Sequence, residues 1–248
     1  MDSISINGAR IYFEIPIFGG IPITETQVNS LLVILAIFIL CKVLTHNLNV
    51  RPTTKRQIIA EWVVEKVTGL VTENMGVRFK AFVPFIAALL SLSALSSLTA
   101  LLGMYPPTAD LNTVMGWALL VFVMITYYKI KTGGILGYLK SFTEPIVVFT
   151  PFNILGEVAT PVSMAFRHFG NVVSGTVISA LVYAALAGLS TVLLGWLPGI
   201  LGVIPWLQVG LPAVLSIYFD LFSGCIQAFI FAMLTMLYIA SAAGEDEA

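Results

Sequence analysis

Charge is scarce in this chain. Of its 248 residues only 10% are Asp, Glu, Lys or Arg, against roughly a quarter in soluble domains. So little charge cannot clothe a water-facing surface, which excludes a soluble globular enzyme, a disordered chain and a nucleic-acid binder. Cysteine is nearly absent as well. Cys41 and Cys225 both sit in apolar runs, so neither a disulfide framework nor a CxxC metal site can be built. The sequence has no HExxH, GxSxG, GxxxxGK[ST] or His-rich set, and no mid-span lysine that could hold a Schiff base. No catalytic residue, metal or cofactor is therefore expected. Nor does the N-terminus carry a basic segment, an apolar segment and a small-residue cleavage site, so no signal peptide is expected.

What the chain has in abundance is apolar length: 58% of its residues are hydrophobic. A bilayer core of about 30 Å takes about 20 apolar residues at about 1.5 Å each. Residues 28–45, 82–103 and 113–130 each meet that requirement, with Tyr127 and Tyr128 beside Lys129 as an interfacial anchor. Two later stretches are too long for an upright span. Residues 153–187 would make about 52 Å of helix and 211–241 about 46 Å. They are expected to be kinked, with Pro161 the candidate, or unusually oblique. Between them LLGWLPGILGVIPWLQVGLP (193–212) reads as an interfacial hairpin. Residues 53–71 place Ile58, Ile59, Trp62, Val63, Val67, Leu70 and Val71 on one helical face. That pattern predicts a helix lying in the membrane interface. The expected fold is all-α: one integral membrane domain, 1–248, with five crossings.

Basic residues set the orientation. Lys42, Arg51, Lys55, Arg56, Lys66, Arg78 and Lys80 form one group; Lys129, Lys131 and Lys140 form another. Both groups are expected inside the cell. The MYPPTADLN loop, with Asp110 and no basic residue, then lies outside. So does the N-terminus, while the C-terminus is cytoplasmic.

Charges inside apolar helices cost about 2.5–3.5 kcal/mol each on insertion scales, so their default reading is functional. Glu157, Arg167 and Asp220 are such charges. Arg167 is the most informative, because its side chain stays ionised in any environment. Residues three and four apart share a helix face. Thr160, Ser163, Arg167, Asn171 and Ser174 therefore form one polar stripe, and Asp220, Ser223 and Gln227 form a second. Either stripe alone could be interhelical hydrogen-bond glue. Together, one centred on a fixed cation and one on a titratable acid, they read as an ion path. Gly170, Gly175 and Ser179 would permit close backbone approach along the first stripe. His168 points about 100° away from Arg167, as a packed core histidine would.

The string PVSMAFRHFGNVVSG (161–175), with PPTADLNT (106–113) and IQAFIFAMLTMLYIA (226–240), resembles subunit a of the F-type ATP synthase membrane sector. That resemblance implies two long, tilted final helices cupping a ring of c subunits. It also implies b-type peripheral-stalk subunits and the rest of the synthase as partners, in a bacterial plasma membrane. Two offset half-channels would carry H⁺ or Na⁺ to and from the ring carboxylates. Arg167 would separate them, with Asp220, Gln227, Asn171, Ser174, Thr176 and His168 as ion-translocation residues. The chain departs from the family pattern at three places. Many members have a glutamate where Thr176 stands, a histidine where Asp220 stands, and a lysine where Thr160 stands. Two other readings remain open at the level of sequence: a secondary ion-coupled transporter, and a membrane assembly or scaffold protein in which Arg167 is structural.

Overall fold

The computed structural model describes residues 8–16, 20–50, 54–194, 207, 214–215 and 217–244. It opens with a small hairpin. Strand β1 (Ile11–Ile15) pairs antiparallel with β2 (Ile21–Thr24). No strand is anticipated from the sequence pattern, because a reading scaled to membrane spans passes over runs this short. Among the described residues beyond the hairpin, every regular element is helical.

Among the described residues, five helical segments are long and apolar enough to cross a membrane: Glu25–Leu44, Val77–Leu102, Leu111–Ser141, Val147–Leu193 and Ile217–Ala242. The protein is an all-α membrane protein carrying a short N-terminal hairpin. The first segment, α1 (Glu25–Leu44), buries only Thr26, Asn29 and Val33, two of them polar. Leu31, Leu32, Ile34, Leu35, Phe38 and Ile39 are exposed. That arrangement is inside-out for water and correct for lipid, where polar groups must find partners within the protein. They do so here. Thr26 Oγ1 donates to Asp110 Oδ2 at 2.7 Å, and Asn29 Nδ2 donates to the Tyr105 carbonyl at 2.8 Å.

Helix α2 (Lys55–Met75) starts at Thr54, whose side chain accepts from the Gln57 N–H, and stops at Gly76 with φ +93°. Glycine alone adopts that backbone without strain. A 3₁₀ segment (Val77–Phe82) leads into α3 (Val83–Leu98). Helix α4 (Leu111–Ser141) is capped by Asp110, which accepts from the Asn112 N–H at 2.9 Å. It runs past the apolar stretch ending near residue 130 and turns sharply at Gly134, φ +69°. Helix α5 (Thr150–Leu194) has 45 residues, about 68 Å at 1.5 Å each. It is more than twice the thickness of a hydrocarbon core. The helix continues through Pro161, although proline leaves the Glu157 carbonyl without its usual donor. A π-helical turn (Ile217–Ser223) then enters the last helix, α6 (Gly224–Ala242). The expected interfacial hairpin, the start of the last expected span and the acidic 245–247 tail lie outside the described residues.

The core sits where α3, α4, α5 and α6 meet. Val114, Ala118, Val121 and Ile125 recur at helical steps along α4 and face Phe231, Ala232, Met236 and Ile239 of α6. Ile86 and Leu89 of α3 and Met164 and Ala165 of α5 complete it. Close approach depends on Gly224, where an added Cβ would lie 2.9 Å from Ser97 Cβ. Gly224→Ala should therefore destabilise the folded protein by about 1–3 kcal/mol through overpacking. Gly188→Ala, with nothing within 4 Å of the new methyl, should be neutral or slightly stabilising. Thermal unfolding of the purified complex checks both, and equal midpoints for the two variants would contradict this packing.

Candidate functional site

Helix α5 has two faces of opposite character. Pro161, Met164, Ala165, His168 and Gly175 are buried against the bundle. Ser163, Arg167 and Ser174 are exposed, with Thr160 and Asn171 half-buried beside them. The stripe expected from spacing therefore points away from the core. Around Arg167 the exposed surface of α5 also carries the apolar Val158, Val162, Phe166, Ile178 and Leu181. Arg167 makes no ion pair or hydrogen bond with the described residues.

The second stripe meets the first at one point. Ser223 Oγ donates to Asn171 Oδ1 at 2.7 Å. That bond ties the π turn to α5, and π turns recur at functional sites. Gly175 allows the contact, since a Cβ there would stand 3.2 Å from the Phe219 ring. Ser174 Oγ and Thr176 Oγ1 bond back to the carbonyls of Asn171 and Val173. Gln227 is buried on α6, 3% exposed, and its amide bonds to no described residue. The backbone of Asp220 lies in the π turn, and its side chain lies outside the described residues.

His168 is fully buried behind Arg167. Its Nε2 is 3.4 Å from Ser93 Oγ, and its ring meets the edges of Trp117 and Phe231 at 6.2 and 5.6 Å between centroids. Its Nδ1 has no partner. The structure thus places His168 in the core, on a different face from the Arg167 stripe.

Two cavities open along α5, one on each side of Arg167. The first, of about 450 Å³, is lined by Lys129, Tyr138, Glu157, Thr160 and Tyr238 among others. Lys129 Nζ is 2.6 Å from Glu157 Oε2, and the Tyr138 hydroxyl donates to Glu157 Oε1 at 3.4 Å. The second, of about 630 Å³, is lined by Arg10, Glu25, Tyr105, Thr176, Ser179 and Tyr183 among others. Burial, then the carboxylates of Asp110 and Glu25, push the Tyr105 phenol above its ordinary pKa. Thr160 and Thr176 stand seven residues before and nine after Arg167. Those offsets correspond to about 10 and about 14 Å of helix rise. No group of three or more His, Cys, Asp or Glu side chains suited to a metal occurs among the described residues.

Sequence reasoning flagged Glu157 and Lys129 separately and missed their pairing, which needs the register of α4 against α5. It also missed Glu25 and Tyr105, which reach the second cavity from α1 and from the loop before α4. Nothing in their local sequence announces that role.

Arg167 thus stands on the outer face of α5, unpaired among the described residues, with a cavity on either side of it along the helix. Comparison with known proteins supplies the family. A family model described as ATP synthase A chain matches residues 27–240, and the chain belongs to that family. It is 30% identical to the "ATP synthase subunit a, sodium ion specific" of Propionigenium modestum, over 92% of this chain and 77% of that protein. It is 31% identical to an ATP synthase subunit a of Crocosphaera subtropica, over 89% of this chain and 87% of that one. With the subunit a of Priestia megaterium it shares 32% identity, over 94% and 98% of the two chains.

The Lys129–Glu157 pair generates a prediction. Removing one partner of a buried pair leaves the other charge uncompensated, while removing both can be nearly neutral. Glu157 is the more enclosed, 17% exposed against 35% for Lys129. Lys129→Met should therefore cost about 1 kcal/mol of stability, a figure kept low because the lysine is partly solvated. Glu157→Leu should cost less, and Lys129→Met/Glu157→Leu should recover most of the loss. Unfolding midpoints of the three variants read this out. An additive double variant would mean that the pair is not coupled.

Proposed function

We propose that this chain is the ion-conducting stator subunit of an F-type ATP synthase, non-catalytic by itself. The observation that carries the reading is Arg167: exposed on the outer face of α5, unpaired among the described residues, with a cavity that holds charged and hydroxyl side chains on either side of it along the helix. A permanent charge in that position needs an external counter-charge. In this reading the ring of c subunits supplies it as a carboxylate. Two unit charges about 4 Å apart interact by about 4 kcal/mol at an effective dielectric of about 20. That is worth about 3 pK units, enough to hold an arriving ring carboxylate ionised until its H⁺ or Na⁺ has left. The same charge repels any cation passing directly from one cavity to the other.

The cavity holding Lys129, Glu157 and Thr160 is the cytoplasmic half-channel in this proposal, and the one holding Glu25 and Thr176 is the outer half-channel. Asn171, fixed by Ser223, lines the ring-facing interface as a neutral polar group with Ser174 beside it, and Gln227, buried on α6, supports that interface from behind. Asp220 is the acid of the outer path. His168 acts behind Arg167 by holding the α5 core face in place. Helix α2 lies in the interface, its exposed Ile58, Ile59, Trp62 and Val63 facing lipid. The chain forms one membrane unit in the bacterial plasma membrane, N-terminus outside and C-terminus cytoplasmic, held against the ring by b-type stalk subunits.

Arg167→Ala should abolish ATP-driven ion pumping in membrane vesicles while the subunit remains in the complex. Arg167→Lys should not restore it, because lysine loses the planar delocalised charge and can lose its proton when desolvated. Wild-type pumping by the alanine variant would overturn the assignment. Asn171→Leu and Gln227→Leu should reduce coupling without eliminating it.

The acid of the outer path gives a second test. A carboxylate can take up and release an ion, whereas threonine can only hydrogen-bond. Asp220→Asn should cut pumping strongly. Adding Thr176→Glu should restore part of it, since that position opens into the outer cavity. Thr176→Glu alone should be neutral or harmful, as two acids in one low-dielectric path raise each other's pKa. Absence of recovery in the double variant, at normal protein levels, would separate the two positions.

A further inference from the structure

The π turn meets α5 at two matched points. Asn171 and Gly175 are four residues apart on α5, and Phe219 and Ser223 are four apart in the turn. At one point a Cβ on Gly175 would stand 3.2 Å from the Phe219 ring. At the other, Ser223 Oγ donates to Asn171 Oδ1 at 2.7 Å. The two contacts run antiparallel, 171 to 223 and 175 to 219, so together they fix the height of the turn against α5. Ser174, by contrast, spends its hydroxyl on its own helix, donating to the Asn171 carbonyl at 3.0 Å.

A carboxamide carries one acceptor oxygen and one N–H2 donor on the two arms of its fork. Ser223 takes the oxygen arm. The nitrogen arm, Asn171 Nδ2, has no partner among the described residues. Asn171 is half-buried and lies one helical turn past the exposed Arg167, a spacing that puts the two Cβ atoms about 5–6 Å apart on one face. Resting on the reading of Arg167 given above, we propose that Ser223 is a positioning residue for ion transfer: by holding Asn171 Oδ1, it aims the Asn171 N–H2 at the ring carboxylate that stops beside Arg167. An ionised carboxylate only accepts hydrogen bonds. Arg167 supplies charge to it, and the amide supplies a directed donor to its second oxygen. With the fork reversed, two acceptors would face each other. A neutral donor suits this place, because it favours the ionised carboxylate without holding it as a second cation would.

The test is ATP-driven ion pumping in membrane vesicles at equal subunit content. Ser223→Ala is expected to slow pumping about fivefold, the net worth of one hydrogen bond. Ser223→Thr keeps the hydroxyl and should pump like wild type. Ser223→Val has the shape of threonine without the hydroxyl and should match Ser223→Ala. Since Ser223 acts only through the amide, adding Ser223→Ala to Asn171→Leu should cost nothing beyond Asn171→Leu alone. A purely packing role would move the threonine and valine variants together and would multiply the two losses; either result overturns the inference. So would loss of the Ser223→Ala subunit from the complex. Arg167→Ala, measured alongside, separates the two levels. If it is inactive while Ser223→Ala pumps normally, only the role of Ser223 falls. Normal pumping by Arg167→Ala would remove the reading on which that role rests.

Discussion

The bundle presents on α5 a cation that no described residue neutralises. Arg167 cannot shed its proton and has no described counter-charge on its own chain. Its tolerance inside an apolar surface costs a few kcal/mol, which the opposite face of α5 must supply. That face does so by packing. Met164, Ala165 and His168 are 0–2% exposed, and His168 is wedged between Trp117 and Phe231.

The second requirement is that two long helices stay in fixed register while presenting a polar edge. Glycine and serine do this more than bulk does. Gly175 lets Phe219 close on α5, and Gly224 lets α6 close on Ser97. Lipid offers no hydrophobic force between helices, so association rests on such close approaches and on interhelical hydrogen bonds. Ser223 to Asn171, Ser97 to Thr108 and Thr26 to Asp110 are bonds of that kind. Each is worth about 0.6 kcal/mol on average, and their value lies in specifying position as much as in strength.

The Arg167 stripe was legible in the sequence because it repeats with the helical period on a background that is otherwise apolar. The lengths of the helices were less so. Hydropathy measures the hydrocarbon slab, and α4 continues beyond it through Lys129, Lys131 and Lys140 to Ser141, turning at Gly134 on the way. The Lys129–Glu157 pair was illegible for another reason. Its members are 28 positions apart, and only the packing of α4 on α5 brings them together. The hairpin Ile11–Thr24 escaped notice because its alternation is brief and its exposed Ile11, Tyr12 and Phe13 look like any apolar run.

The departure from the family pattern at Thr176 takes on a different meaning beside the cavity that Thr176 lines. Thr176 opens into a space that already contains a carboxylate, Glu25. That acid stands in the first turn of α1, where the helix dipole favours negative charge. With Asp110 close enough to act on the same phenol, Tyr105, it gives the mouth of the proposed outer path a negative field opposed by Arg10. Such a field raises the local concentration of cations but cannot deliver them to the level of Arg167, about 14 Å further along α5 from Thr176. Delivery needs a titratable or coordinating group deeper in the path. A threonine at 176 is therefore compatible with ion flow when an acid enters from the other wall, and the π turn that carries Asp220 is the described element fastened to α5 at Asn171.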